Sequence, residues 1–252
     1  MRTCLLDEPM TKLLVPDEEY FQDFDKLVTL TLEQNLTFVA IERSTGRFAG
    51  ARISFNHKRD TDWSVFDFKS SKMAKLMQYI NCLDDHTRLF EKYNLDSYIT
   101  FFLAIVHPDF RKQGLVTEMY RRAVDLARAE GFFLAKACFS SPYSRAAALK
   151  VGFQEVARIT YSDVKDENGK PVIPGAMDDQ HTWVNGHWVE LVEGPRSCKL
   201  EKWAVSKMKI LNIQFGRSSM LECGTGRIST FIIIIYAEHI DMVRFWEITK
   251  KK

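Results

Sequence analysis

The sequence predicts an α/β (α+β) domain built on a mixed sheet with a parallel strand pair at its middle, and three observations predict it. Between residues 98 and 164 the chain reads as strand, helix, strand, helix, strand, an order that requires a right-handed crossover and hence two parallel neighbours. Ahead of that unit, two short apolar runs flank Ser44-Thr45-Gly46, which is the composition of an antiparallel hairpin. Across 252 residues, 46% hydrophobic and 27% charged content is enough for one sizeable core or for a domain with an appendage.

In chain order, Pro16, Asp17 and Glu18 open a helix reaching about residue 34, with acids in its first turn and Phe21, Phe24, Leu27, Val28 and Leu30 as its apolar residues. Strands follow over residues 36–42 and 47–55. Residues 56–70 are polar and aperiodic. A long helix over 71–94 is read from Met73, Leu76, Met77, Ile80, Leu83 and Leu89 at helical spacing. Residues 98–106 form a buried strand and 107–113 a loop. The next helix, over 114–130, carries Leu115, Met119, Ala123, Leu126 and Ala127 on one face and stops at Gly131. Residues 132–139 are strand, 142–151 helix and 153–164 strand, with a turn at Asn168-Gly169 leading into 170–173. From Trp183 onward the pattern loosens, although residues 230–236 have strand composition.

Composition excludes several classes of partner. With 35 Lys and Arg against 33 Asp and Glu, the net charge of +2 supplies no general attraction to nucleic acid or acidic lipid. The longest apolar stretch, residues 231–237, is far short of the roughly 20 residues of a membrane span, and the first ten residues lack the apolar run of a signal peptide. Cys4, Cys82, Cys138, Cys198 and Cys223 are odd in number and never spaced as C-x-x-C, so neither a disulfide framework nor a zinc site is expected. A reducing, cytoplasmic setting and a monomer with no metal follow as expectations.

The string Arg111-Lys112-Gln113-Gly114-Leu115-Val116 lies where a strand has ended and a helix begins. Amides of a first helical turn have no intrahelical acceptor, and with the helix dipole they form an anion seat rimmed here by two cations. Glycine at 114 permits close backbone approach. The string alone is a weak signal, because a basic helix start before an amphipathic helix is more often a solvated turn than a pyrophosphate site.

This segment resembles motif A of the GNAT acetyltransferases, which reads Arg or Gln, two residues, Gly, one residue, then Gly or Ala. Val116 occupies the last position of that pattern. Phe139-Ser140-Ser141-Pro142-Tyr143-Ser144 and Leu149-Lys150-Val151-Gly152-Phe153-Gln154-Glu155-Val156 follow in order, and Asp7-Glu8-Pro9-Met10 is similar to an Asp-Glu-Pro-Leu segment. The combination resembles the insect arylalkylamine (dopamine-type) N-acetyltransferases over about residues 1–182. The resemblance implies a GNAT domain over 1–182, lacking the family's first strand and so leaving residues 36–42 at a sheet edge, followed by an unassigned tail over 183–252.

The resemblance also implies acetyl transfer from acetyl-CoA, as co-substrate, to a primary arylalkylamine such as dopamine, serotonin or tryptamine. The central parallel strands would be splayed, with pantetheine between Ala104, Ile105 and Val106 and residues 132–139, and with pyrophosphate on the amides of Arg111, Lys112, Gln113, Gly114, Leu115 and Val116. An alkylammonium of pKa about 10 must lose a proton before it attacks the thioester. By resemblance Glu8 accepts it, directly or through water, while Ser140 and Ser144 orient the amine and pass a proton to the departing thiolate. Tyr143 is a further acid, and a backbone N–H near Ile105 or Val106 holds the oxyanion.

Bland roles stand beside each of these. Glu8 is also an ordinary first-turn acid, Ser140 or Ser141 a helix N-cap, and Tyr143 a packing residue. Two rival functions remain open: a non-catalytic acyl-CoA-binding remnant, and an acetyltransferase for another amine, such as a polyamine or a protein terminus.

Overall fold

The computed structural model describes residues 5–61, 66–175, 177, 180–189, 230–235 and 244–249. Helix α1, Pro9–Leu14, starts with proline at its first position and is stopped by Val15 in the left-handed region. Helix α2, Glu18–Leu32, is capped by Asp17, whose Oδ1 accepts from the Tyr20 amide at 2.9 Å. Its buried stripe is Tyr20, Phe24, Leu27, Val28 and Thr31. Strands β1, Phe38–Glu42, and β2, Phe48–Lys58, form the expected hairpin, antiparallel from Phe38↔Arg52 to Ile41↔Phe48.

One expected helix is two. Helix α3, Ser71–Thr87, ends at Arg88, whose φ of 44° is left-handed and whose amide bonds the Asp84 carbonyl. Helix α4, Leu89–Tyr93, restarts beyond it. Strand β3, Ser97–Val106, leads through a 3₁₀ turn at Pro108–Phe110 into α5, Leu115–Ala129. Strand β4, Leu134–Phe139, helix α6, Pro142–Leu149, and strand β5, Gln154–Thr160, complete the crossover unit. The last expected strand is shorter than its apolar run, because Tyr161–Asp163 turns into a 3₁₀ helix.

Strand β6, His181–Trp188, inserts between β4 and β5 and pairs antiparallel with both. It passes straight through residue 182, where the sequence reading closes the first domain, and Val184 and Asn185 within it are fully buried. Strands β7, Thr230–Ile235, and β8, Arg244–Thr249, follow. The sheet order is β5-β6-β4-β3-β2-β1-β7-β8. Strand β1 is therefore no edge: β7 pairs with its outer side from Phe38↔Ile235 to Glu42↔Phe231. Residues 190–229, 236–243 and 250–252 of the unassigned tail lie outside the described residues, as do Cys4, Cys198 and Cys223.

Two cores lie on opposite sheet faces. One packs α5 and α6 through Leu115, Met119, Tyr120, Ala123, Ala147 and Ala148 against Phe38, Phe101, Ala137 and Phe139. The other packs α1, α2 and α3 through Leu14, Phe24, Leu27, Met73 and Met77 against Ile53, Ile105 and Val184. Phe24 and Met77 thus belong to the core, with Phe21 packed against it. Among the described residues no helix is long and apolar enough to cross a membrane.

Two features open the middle of the sheet. The parallel β3–β4 ladder consists of Ile99↔Ala135, Thr100↔Lys136 and Phe101↔Ala137, and stops there although β3 runs on to Val106 and β4 to Phe139. On the other side of β3, the register with β2 slips between Ile53↔Leu103 and Ser54↔Phe101, leaving Phe102 as an extra residue. A bulge of this kind bends a strand and increases its twist, which turns β3 away from β4. The ends of the two strands diverge as a result.

Candidate active site

Glu8 is fixed by the start of α1. As N-cap it offers Oε2 to the Thr11 amide at 2.6 Å and to the Thr11 hydroxyl at 2.8 Å. Its other oxygen, Oε1, accepts a short hydrogen bond from the Ser140 hydroxyl, which β4 delivers at its C-terminal end. One carboxylate therefore serves as a helix cap and also faces the strand gap. Ser141 is the N-cap residue of α6 but makes no side-chain cap hydrogen bond. Neither serine is consumed by capping.

Aromatic residues surround that carboxylate. Burial pushes the Tyr20 and Tyr161 phenols up to about 12, and the charge of Glu8 adds to both shifts. Tyr161 also meets Tyr79 edge-on at 5.4 Å, and Phe24 stacks on Phe102 at 6.1 Å. The bulge residue Phe102 thus faces the same side as Glu8 and carries the aromatic lining into the centre of the sheet.

The loop before α5 has the shape of an anion seat. Lys112 and Gly114 are both left-handed, with φ of 60° and 77°, and the first α-helical bond runs from the Glu118 amide to the Gly114 carbonyl. The amides of Leu115, Val116 and Thr117 consequently precede the first hydrogen-bonded turn. The Arg111 amide differs from the expectation, since it donates to the Pro108 carbonyl at 3.2 Å. The Val116 side chain is half-buried against the α5–α6 core. An ion pair between Arg47 and Asp109 and a 3.2 Å bond from the Gln113 amide group to the Asp109 carbonyl brace the loop. The Arg47 guanidinium holds the Asp109 carboxyl below the usual carboxylate range. Arg111 reaches back to Asp7 at 3.2 Å, tying this loop to the residue beside Glu8.

The other sequence candidates divide. Ala104, Ile105 and Val106 line the β3 side of the gap, beyond the last β4 partner. Ser144 does not reach Glu8; its hydroxyl lies 3.0 Å from that of Tyr120 on α5. Tyr143 is 86% exposed and is not brought to either group. Sequence reasoning passed over Tyr120 and Gly50, and named Asp7 without giving it a role. Gly50 had a signal, a glycine inside a strand: a Cβ there would meet the Ile105 carbonyl oxygen at 2.5 Å. Among the described residues no group of three or more His, Cys, Asp or Glu side chains is placed to hold a metal ion.

No family model matches the chain. Nor does any curated protein match it in sequence. Solved structures do. A yellow fever mosquito (Aedes aegypti) protein described as arylalkylamine N-acetyltransferase 7 is 26% identical, with 73% of this chain and 78% of that one covered and a TM-score of 0.67. Arylalkylamine N-acetyltransferase 2 of Aedes aegypti is 20% identical, with 74% and 89% covered and a TM-score of 0.62. A Drosophila melanogaster polyamine N-acetyltransferase, which catalyses formation of N-acetylagmatine, is 16% identical, with 65% and 79% covered and a TM-score of 0.59. The last two likenesses concern the fold alone. With its parallel β3–β4 pair flanked by helices, the chain has the GNAT acetyltransferase fold and resembles insect arylalkylamine N-acetyltransferases over a segment of about 73% of its length.

Proposed function

We propose that the chain transfers the acetyl group of acetyl-CoA to a primary amine, and that the amine is an arylalkylamine such as dopamine, serotonin or tryptamine. The observation that carries this reading is the Ser140–Glu8 hydrogen bond at the mouth of the strand gap. It puts a carboxylate beside the position that a thioester would occupy if its pantetheine arm borrowed the free edge of β3 as an added strand does. Half-buried Phe102, which lies over the core aromatics Tyr20, Phe24 and Tyr161 on the Glu8 face, favours an aromatic amine.

In this reading Leu115, Val116 and Thr117 hold the diphosphate on their amides, and Lys112 adds positive charge at the rim. Ala104, Ile105 and Val106 hold the arm. Glu8 Oε1 takes a proton from the substrate ammonium, directly or through a water at Ser140, and leaves a nucleophilic nitrogen. As the C–N bond forms and the C–S bond breaks, the amide near Ile105 or Val106 holds the oxyanion, and sulfur departs with the bonding pair. In this reading Ser144, beside Tyr120 on the α5–α6 side, supplies the hydrogen-bond donor that the sulfur needs. One proton is released to solvent per turnover, because the ammonium loses two and the thiolate regains one.

The test is direct. Purified protein should bind coenzyme A in a calorimeter and liberate free thiol from acetyl-CoA on addition of tryptamine or dopamine, and faster than with agmatine. Binding without thiol release would make it an acyl-CoA-binding protein; release with agmatine in preference to aromatic amines would move the substrate class.

A further inference from the structure

Arg52 stands on β2, opposite Ala104 of β3, and its side chain is 1% exposed. It faces the α5–α6 core, with its guanidinium carbon 4.4 Å from the centre of the Phe101 ring and 4.5 Å from that of Tyr120. Its Nε and Nη2 have no hydrogen-bond partner among the described residues. Burial draws its pKa down to about 10, and Tyr120, not a carboxylate, offsets that burial. At neutral pH it is a buried cation held by two aromatic faces.

A buried cation with no carboxylate partner costs desolvation that two aromatic faces offset only in part, so an apolar residue of the same length would fold as well or better. What the cation can do follows from its neighbours. Phe101 is the last β3 residue paired with β4, so Arg52 lies beneath the point where the gap opens. The Tyr120 hydroxyl is 3.0 Å from Ser144 Oγ, and in that pair either oxygen could be the donor. A guanidinium only donates and is positive, and a side-chain hydrogen bond with Tyr120 is among the causes that hold the Arg52 pKa up, so the phenol oxygen turns its lone pairs to Arg52. The phenol hydrogen then points to Ser144, and Ser144 is left to present its own hydrogen to the gap.

We propose that Arg52 is a positioning residue for the departing thiolate: it fixes the direction of the Tyr120–Ser144 hydrogen-bond chain so that Ser144 donates toward coenzyme A sulfur. This rests on the acetyl-transfer reading above. It also separates the two proton tasks by sheet face, with Glu8 receiving on the α1–α3 side and Ser144 donating on the α5–α6 side.

The test reads the bound thiol. Coenzyme A is added to the full chain, and its thiolate absorbance is followed against pH in wild type, Arg52→Met, Tyr120→Phe and Ser144→Ala. Free coenzyme A titrated under the same conditions is the reference, since the value of about 8.5 belongs to a cysteine side chain. The expected result is a bound thiol about one unit lower in wild type that moves back up in all three variants, with kcat reduced more than KM is raised. Arg52→Met should keep or raise the melting temperature. Should that variant fail to fold, Arg52 is a structural residue and the proposal is overturned, as it also is if the thiol titrates alike in all four proteins. Wild type that shows no heat with coenzyme A overturns the acetyl-transfer reading itself; binding with an unmoved titration overturns only the role of Arg52.

Discussion

Ser140 and Glu8 lie 132 positions apart in the chain, yet the serine hydroxyl donates to the carboxylate, and this contact joins the end of β4 to the start of α1. The carboxylate keeps its two oxygens for different purposes, Oε2 for the Thr11 cap and Oε1 for the gap. Any change at Glu8 is therefore felt in both.

Glu8→Gln and Ser140→Ala separate the two. Glutamine can still accept from the Thr11 amide, so the cap survives in part and stability should fall by no more than about 1 kcal/mol. Acetyl transfer should fall about 10²- to 10⁴-fold in kcat/KM, the range for loss of a positioned base. Ser140→Ala should cost less, since the carboxylate remains. Initial rates against amine concentration, with the melting temperature recorded in parallel, decide it; full activity in Glu8→Gln would remove the base.

Gly114→Val addresses the anion seat. The φ of 77° at Gly114 is left-handed, and a β-branched residue there costs about 1–2 kcal/mol and strains the turn that presents the amides opening α5. Coenzyme A should bind about tenfold more weakly or worse, while a ligand lacking the diphosphate, such as pantetheine, should be unaffected. Equal losses for both ligands in calorimetry would show that the diphosphate sits elsewhere.

How far the sequence reached can be judged at particular residues. The hairpin, the crossover and the basic helix start carry local signals, namely a Ser-Thr-Gly turn, period-two and period-3.6 apolar patterns, and a glycine before α5. Arg88 carries none, so the break between α3 and α4 was invisible. Ser140 and Glu8 were named by resemblance, because no periodicity brings together residues so distant in the chain. Tyr143 too was named by resemblance, whereas the tyrosine that meets Ser144 is Tyr120, 24 positions earlier and inward on α5. Arg52 lay in plain view as a cation between Ala51 and Ile53, but an amphipathic reading assigns such a residue to solvent. The trespass of β6 beyond residue 182 escaped because Asn185, Gly186 and His187 interrupt its apolar alternation.

Gly50→Ala tests whether the β3 end is positioned by its neighbour. The added carbon would stand 2.5 Å from the Ile105 carbonyl oxygen, a backbone atom that cannot swing aside, so β3 must shift exactly where its amide serves the oxyanion in the proposed reaction. Overpacking of this kind costs about 1–3 kcal/mol. Complete loss of one oxyanion donor costs about 10²- to 10³-fold in kcat. A displaced donor should lose part of that, with KM for acetyl-CoA moving less than kcat. A variant with reduced stability and unchanged kcat would show that the Ile105–Val106 amides have no part in the chemical step.

The buried charges on the opposite face set the response to acid. Lys136, 2% exposed, forms an ion pair with Asp84, whose other oxygen is 3.8 Å from His57 Nδ1. Burial, assisted by the Lys136 charge, draws the His57 pKa from 6.5 down to about 3. Asp84 is already committed to Lys136 and does not support a second cation. Between pH 6.5 and about 3 the unfolded chain therefore binds a proton at this histidine that the folded chain refuses. Acidification favours unfolding throughout that window, by at most about 1.4 kcal/mol per pH unit for one group. Above pH 6.5 the group is neutral in both states and contributes no slope. Urea denaturation of wild type and His57→Phe at pH 7, 6, 5 and 4 isolates this contribution, since other carboxylates titrate in both proteins. The difference in unfolding free energy should move in favour of His57→Phe by a few kcal/mol in total as pH falls. Parallel profiles would mean that His57 becomes protonated in the folded protein, with Asp84 turning from Lys136 to receive it.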